Sequence, residues 1–224
     1  MKIIVPLAGL GTRLRPHTFS KPKPLINIAG KPLLGHVLDM FRGISADEFI
    51  FITGYLGEQI EAYLEHEYPD LKKRRVEQRD LNGQSPAVLL AKEFVDGPVL
   101  IVFADTIIQA DFTTLQTSPS EALAWVKRVP DPRHFGVVEL GKDGYVSHLI
   151  EKPNNMDNNL AVVGFYYIQD GPGLMEAIEA QMAADIQPKG EYYLADALQI
   201  MIDRGLKMRV EEVDVWEDCG QPES

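Results

Sequence analysis

The chain has 224 residues, 45% hydrophobic and 25% charged, enough to bury the core of one large α/β domain and too few for a multidomain array. Its 33 acidic and 22 basic residues give a formal charge of −11, which argues against a general nucleic-acid binder and against an acidic-membrane binder. Cys219 is the single cysteine, so neither an internal disulfide nor a thiolate zinc site can form, in keeping with a reducing, cytoplasmic setting.

Lys2 to Ala8 reads as a short buried strand, since the apolar start is broken by Pro6 and followed by Arg13 and Arg15, which does not suit a leader peptide. Gly9-Leu10-Gly11 then sets a turn that lets backbone approach a ligand. A long loop runs on to about Lys31, stiffened by Pro16, Pro22 and Pro24, and loops of this length are usually functional. Leu33 to Arg42 has helical spacing, Glu48 to Thr53 is strand-like and Gly57 to Tyr68 is a helix. Arg74 to Gln78 reads as a strand, Ser85 to Val95 as a helix, and Pro98 to Phe103 as a fully buried strand ending at Ala104-Asp105. This alternation predicts a mainly parallel sheet with helices on both faces.

The rhythm then changes. Ala122 to Val129, Phe135 to Leu140, Tyr145 to Glu151 and Leu160 to Ile168 are strand candidates, the middle two joined by a hairpin-like Gly141-Lys142-Asp143-Gly144, so this half should be mixed or antiparallel. Helices follow at Gly173 to Ala183 and Tyr192 to Arg204, then a strand at Lys207 to Val213. No run approaches the ~20 apolar residues of a membrane span. Lys72-Lys73-Arg74-Arg75 reads as a solvated helix-to-strand junction, and the five histidines lack ligand spacing.

Charge is unevenly spread. The first 38 residues hold Lys2, Arg13, Arg15, Lys21, Lys23 and Lys31 and no acid. Charge alone would fit a solvated basic loop, but a glycine-initiated, cationic, proline-stiffened loop after a first strand is a phosphate cradle in physical terms, with N–H groups on the oxygens and fixed cations beside them. Two familiar versions fail. No Gly-x-x-x-x-Gly-Lys-Ser/Thr occurs, and a dinucleotide fingerprint would need glycine at Leu14 and a later acid to hold the ribose.

Leu7-Ala8-Gly9-Leu10-Gly11-Thr12-Arg13-Leu14-Arg15-Pro16, with Lys21-Pro22-Lys23-Pro24-Leu25 and Lys31-Pro32-Leu33, resembles the sugar-1-phosphate nucleotidylyltransferases, a family that includes glucose-1-phosphate thymidylyltransferase and UDP-glucose pyrophosphorylase. Further matches follow in order: Glu77-Gln78 with Gly83-Gln84, Phe103-Ala104-Asp105, Phe135-Gly136-Val137-Val138, Glu151-Lys152-Pro153, Ala161-Val162-Val163-Gly164 and Trp216-Glu217-Asp218-Cys219-Gly220. Leu10, Gln84-Ser85-Pro86 and Ala104 depart from the thymidylyltransferase pattern.

The resemblance implies a Rossmann-like three-layer α/β/α fold with a mixed, mainly parallel central sheet, a single catalytic domain over 1–224, and a magnesium-dependent enzyme. In that family a sugar-1-phosphate oxygen attacks the α-phosphorus of a nucleoside triphosphate and expels pyrophosphate. UTP or dTTP and glucose 1-phosphate are the substrates it favours. Mannose 1-phosphate, an amino-sugar 1-phosphate, phosphocholine, or a non-catalytic sugar-nucleotide sensor are the alternatives.

By the same resemblance, Ala8, Gly9, Gly11, Thr12 and Arg13 wrap the triphosphate, with Arg13 on the leaving pyrophosphate and Lys23 near the α-phosphate. Gln78 and Gly83 meet the base, Gln78 offering one donor and one acceptor. Gly136, Glu151 and Val162 form the sugar pocket and Lys152 holds the sugar phosphate. Asp105 and Asp218 hold Mg2+. A homo-oligomer is compatible with the family. Gly220-Gln221-Pro222-Glu223-Ser224 has the composition of a helix entrance, from which a catalytic domain cut from a longer polypeptide is expected.

Overall fold

Ile3 and Val5 belong to one buried cluster and Ile4, between them, to another, so the first strand, β1 (Lys2–Pro6), is covered on both faces. A strand buried in this way is a continuous apolar run because its alternate side chains enter two different cores. In this computed structural model, residues 1–116 and 120–220 are described. After β1 come the short pair β2 (Asn27–Ile28) and β3 (Lys31–Pro32), then α1 (Leu33–Asp39), β4 (Glu48–Thr53), α2 (Gly57–Glu67), β5 (Lys73–Glu77), α3 (Gln84–Leu89), β6 (Val99–Val102) and β7 (Thr106–Ile108). The second half holds β8 (Ala122–Arg128), β9 (Gly136–Leu140), β10 (Val146–Glu151), β11 (Leu160–Ile168), α4 (Gly171–Ala183), α5 (Leu194–Asp203), β12 (Met208–Glu212) and β13 (Trp216–Asp218).

The central sheet has nine strands. Strands β5, β4, β1 and β6 are parallel neighbours, and β11 then joins β6 antiparallel. Beyond it the sheet forks, with β8 and β12 on one branch and β9 and β10 on the other. The fork is made by β11 itself, whose later residues pair with β6 while Ala161 pairs with Val137 of β9. Its register against β8 shifts between Val162 and Tyr166, around Gly164 at φ 84°, a bulge that glycine accommodates. Helices α1 and α2 pack with Val5, Phe51 and Val102 on one face; α3, α4 and α5 pack with Ile4, Ile52 and Ile101 on the other. This is the expected three-layer α/β/α arrangement with a mixed, mainly parallel sheet.

Several boundaries differ for local reasons. The loop after β1 contains 3-10 turns at Thr12–Leu14, His17–Phe19 and Lys23–Leu25, the last with Pro24 early in its turn, a place where proline is tolerated. Helix α3 stops at Leu89, and a separate 3-10 turn covers Lys92–Phe94. Helix α4 starts two residues early because Asp170 caps it, accepting from the Gly173 N–H at 2.9 Å.

The basic run lies where the chain passes from α2 to β5, with Lys72, Arg74 and Arg75 exposed. Its last three residues open the edge strand β5, where Arg74 pairs with Glu48 at 3.0 Å and Arg75 with Glu61 at 3.2 Å. Charges on an edge strand discourage further strand pairing. The expected helix entrance falls at residues 221–224, outside the described residues. Among the described residues no helix is long and apolar enough to cross a membrane.

Candidate active site

The loops after β1, β5 and β6 surround one cleft of about 440 Å3. Open α/β sheets place ligands beyond the carboxyl ends of their strands, and here those ends carry Ala8, Gly9, Gly11, Thr12, Arg13, Gln78, Gly83 and Asp105, all lining the cleft with Lys23.

Each part of the first loop has its own reason. A β-carbon on Gly9 would meet nothing within 4 Å, so its backbone faces open space. Gly11 is held at φ 61°, and a β-carbon there would lie 2.9 Å from Thr18 Cγ2. Its carbonyl accepts from the Thr18 hydroxyl at 2.8 Å, which fixes the turn. Farther along, Tyr55 donates to the Phe19 carbonyl at 2.7 Å and Gln59 to the Ser20 carbonyl at 3.0 Å, tying the loop to the α2 region. Arg13 is exposed at the cleft wall.

Lys23 donates to Asp105 Oδ2 at 2.8 Å. Asp218 reaches the same place from the far end of the chain. Strand β13 pairs antiparallel with β7, setting Asp218 opposite Thr106, and the Cys219 N–H donates to the Asp105 carbonyl at 2.8 Å. A β-carbon on Gly220 would lie 2.7 Å from Asp218 Oδ1 and 3.8 Å from Asp105 Oδ2, so one oxygen of each carboxylate lies near Gly220; Gly220 lines the cleft and Asp218 sits just behind it, its Oδ1 accepting from the Gly220 N–H at 2.8 Å. Burial and these two carboxylates together push the Cys219 thiol up from its ordinary value. Among the described residues no group of three or more His, Cys, Asp or Glu converges. Two carboxylates at a cleft suit a hard cation that takes its other ligands from phosphate oxygens and water; a softer, fully protein-caged metal does not fit.

Gln78 is buried, with its N–H on the Thr53 carbonyl at 2.7 Å and its side-chain amide donating to the Asp80 carbonyl at 3.0 Å. One amide hydrogen and the amide oxygen remain for a ligand. Gly83 was expected to admit a base. It has a second reason to be glycine: at φ 124°, a β-carbon would lie 2.6 Å from the Tyr192 carbonyl oxygen, because the two residues form a parallel β-bridge.

Gly136, Glu151, Lys152 and Val162 do not line this cleft; they form a neighbouring group. Gly136 pairs with Glu151 across β9 and β10, and a β-carbon on Gly136 would lie 2.9 Å from Glu151 Oε2. Val162 is buried on β11 beside Ala161, which pairs with Val137. Lys152 Nζ lies 3.9 Å from Glu151 Oε1. Burial raises the Glu151 carboxyl above its ordinary value, the Lys152 ammonium opposes this and Asp196 adds to it. Phe135, next to Gly136, meets Trp216 edge-on at 4.9 Å between ring centroids, so this group and the Asp218 strand share a wall.

Sequence reasoning missed three contributors. Glu191 lines the cleft, Tyr193 contacts Lys152 at 3.3 Å, and Asp196 has a buried Oδ2 without a hydrogen-bond partner; burial pushes its pKa up to about 6. The signal available was Glu191 and Tyr193 just before α5 and Asp196 in its first turn, which ordinarily reads as a helix start.

Comparison with known proteins bears on the family and the fold. The chain is 35% identical over 222 residues to "Bifunctional protein GlmU" of Methanocaldococcus jannaschii, covering 99% of this chain and 52% of that protein; it spans about half the length of the curated relatives of this name. It is 29% identical over 232 residues to the UTP–glucose-1-phosphate uridylyltransferase AglF of Haloferax volcanii, covering 100% of this chain and 93% of the relative. A UDP-glucose pyrophosphorylase solved with UDP-glucose superposes with a TM-score of 0.84 at 22% identity, covering 99% and 94% of the two chains, which speaks to the fold. The nucleotidyl transferase family matches residues 2–224, and the chain belongs to that family.

Proposed function

We propose that the chain transfers a nucleotidyl group from a nucleoside triphosphate, UTP or dTTP, to glucose 1-phosphate, giving an NDP-sugar and pyrophosphate. The observation that carries this reading is the convergence of the Gly9–Arg13 turn, Lys23 and Asp105 in one cleft, with an oxygen of Asp218 and one of Asp105 both near Gly220 at its edge. The relative named a UTP–glucose-1-phosphate uridylyltransferase, which this chain matches over nearly its whole length, supports the substrate pair.

In this account Ala8, Gly9, Gly11 and Thr12 present backbone to the triphosphate, and Gln78 and Gly83 meet the base. A phosphate oxygen of the sugar phosphate attacks the α-phosphorus and the bond to the β-phosphate oxygen breaks. No side chain need act as nucleophile, so the protein's work is positioning and charge stabilisation. Arg13 faces the leaving pyrophosphate, where negative charge grows, and Lys23 the α-phosphate. Lys152 holds the incoming phosphate, while Glu151, Gly136 and Val162 receive the sugar. Asp105 and Asp218 would hold Mg2+. When bound, that ion supplies charge neutralisation across the phosphates.

A pyrophosphate-release screen of five triphosphates against a panel of sugar phosphates tests the reading. Turnover with UTP or dTTP plus glucose 1-phosphate supports it. Absence of release with every pair would refute it.

A further inference from the structure

Lys152 is the residue whose surroundings the proposed chemistry least explains. Its backbone sits at φ 48°, in a left-handed region that lysine seldom occupies and that persists where neighbours over-determine it. They do so here: its N–H donates to the Phe135 carbonyl at 2.9 Å, and its carbonyl accepts from Lys189 Nζ at 2.6 Å. The side chain then leads to Tyr193, which is buried. Lys152 Nζ lies 3.3 Å from the Tyr193 hydroxyl and 4.7 Å from its ring centroid.

The nature of these partners matters more than their number. Glu151 Oε1 lies 3.9 Å from the same ammonium, and a carboxylate in full contact would neutralise it. A hydroxyl and an aromatic face orient a cation without cancelling its charge. Tyr193 is itself fixed from the nucleotide side, for its carbonyl accepts from Ser85 Oγ at 3.1 Å and from Gln181 Nε2 at 2.9 Å. Its neighbour Leu194 donates its N–H to Gln84 Oε1 at 3.2 Å.

We propose that Tyr193 is a positioning residue for Lys152, holding its ammonium out of close contact with Glu151 and oriented for the phosphate of the sugar 1-phosphate. This rests on the function proposed above and adds a residue to it. Through Ser85, and through the bond of Leu194 to Gln84, the same segment joins the Gly83 loop to the sugar-phosphate lysine. A phosphate arriving at Lys152 thus meets a cation already oriented, and the glutamate stays free for the sugar.

The test is steady-state kinetics on wild type, Tyr193→Phe and Tyr193→Leu, with Lys152→Ala as the partner change. Tyr193→Phe keeps the ring and is expected to raise KM for glucose 1-phosphate ~3- to 10-fold, the scale of one lost hydrogen bond; Tyr193→Leu, lacking the ring face too, ~10- to 50-fold. KM for the triphosphate should stay within about twofold in both. In the Lys152→Ala background the Tyr193→Phe change should alter kcat/KM for the sugar phosphate by less than about twofold, because the coupled partner is gone. An unchanged KM for glucose 1-phosphate in Tyr193→Phe, equal rises for both substrates, or a full effect persisting without Lys152 would each overturn the assignment while leaving the enzyme reading standing. A wild-type protein inactive with every sugar 1-phosphate would instead remove the reading on which the assignment rests, and the assignment with it.

Discussion

Lys23 and Asp105, 82 positions apart, meet at 2.8 Å on the floor of the cleft. The contact joins the cationic first loop to a carboxylate in the short connection between β6 and β7. Lys23→Ala should lower kcat by ~10²–10³, the range seen when a preorganised charge-stabilising group is removed. A change confined to KM would make Lys23 a ground-state phosphate anchor only.

Asp105→Asn and Asp218→Asn are expected to cut Mg2+-dependent turnover at least ~100-fold while leaving the fold intact. On the proposed function each would remove a hard anionic ligand, and an oxygen of each carboxylate lies near Gly220. Circular dichroism and a magnesium titration of activity check this; wild-type activity in either variant removes that residue from the site.

Gln78→Ala should cost ~1–3 kcal/mol of discrimination between UTP and GTP, the scale for a buried polar partner lost. The amide is buried and already aligned by its bond to the Asp80 carbonyl. Relative kcat/KM for the two triphosphates measures it. Equal wild-type rates with purine triphosphates would end the base-reading role.

Gly83→Ala is expected to destabilise the fold by ~1–3 kcal/mol, since alanine is strained at positive φ and its β-carbon would lie 2.6 Å from the Tyr192 carbonyl oxygen. Urea unfolding midpoints report it. An unchanged midpoint would show that the bridge yields freely.

Asp196 gives a pH prediction of defined sign. Burial raises its pKa from 3.8 to about 6, so the native state binds the proton more tightly than the unfolded chain, and the stability this gives is lost as pH rises from about 4 through 6. The side chain is only partly buried, so solvent screening limits the effect to ~1 kcal/mol. Asp196→Asn should therefore be more stable than wild type at pH 8 and nearly equal to it at about pH 4, by denaturant midpoints. A variant less stable at pH 8 would mean that the charged form is favoured.

Much of this arrangement was legible because single segments carry it. Glu48–Thr53 has an apolar centre, Phe49 to Ile52, Leu160–Ile168 is apolar almost throughout, and both are strands over those residues. The Gly9–Arg13 turn could be placed after β1 from glycine and charge alone. Strands β7 and β13 were not legible: each has three residues, and each pairs with a partner about a hundred positions away, so no local pattern marks them. The same holds for Tyr193 and Asp196. A tyrosine and an acid at a helix start have ordinary local explanations, and only β10, packed beside α5, gives them a second meaning. That packing rests on Gln199, which accepts from the Leu149 N–H at 2.9 Å and donates to the Ser147 carbonyl at 3.2 Å.

The central claim is nucleotidyl transfer to a sugar phosphate, and 31P NMR of wild-type protein with UTP, glucose 1-phosphate and Mg2+ tests it most directly. The account predicts that the glucose 1-phosphate resonance declines in step with the growth of pyrophosphate and of a sugar-linked diphosphate, and that Asp105→Asn abolishes all three changes. Pyrophosphate appearing while glucose 1-phosphate persists, or no change with either UTP or dTTP, would contradict it.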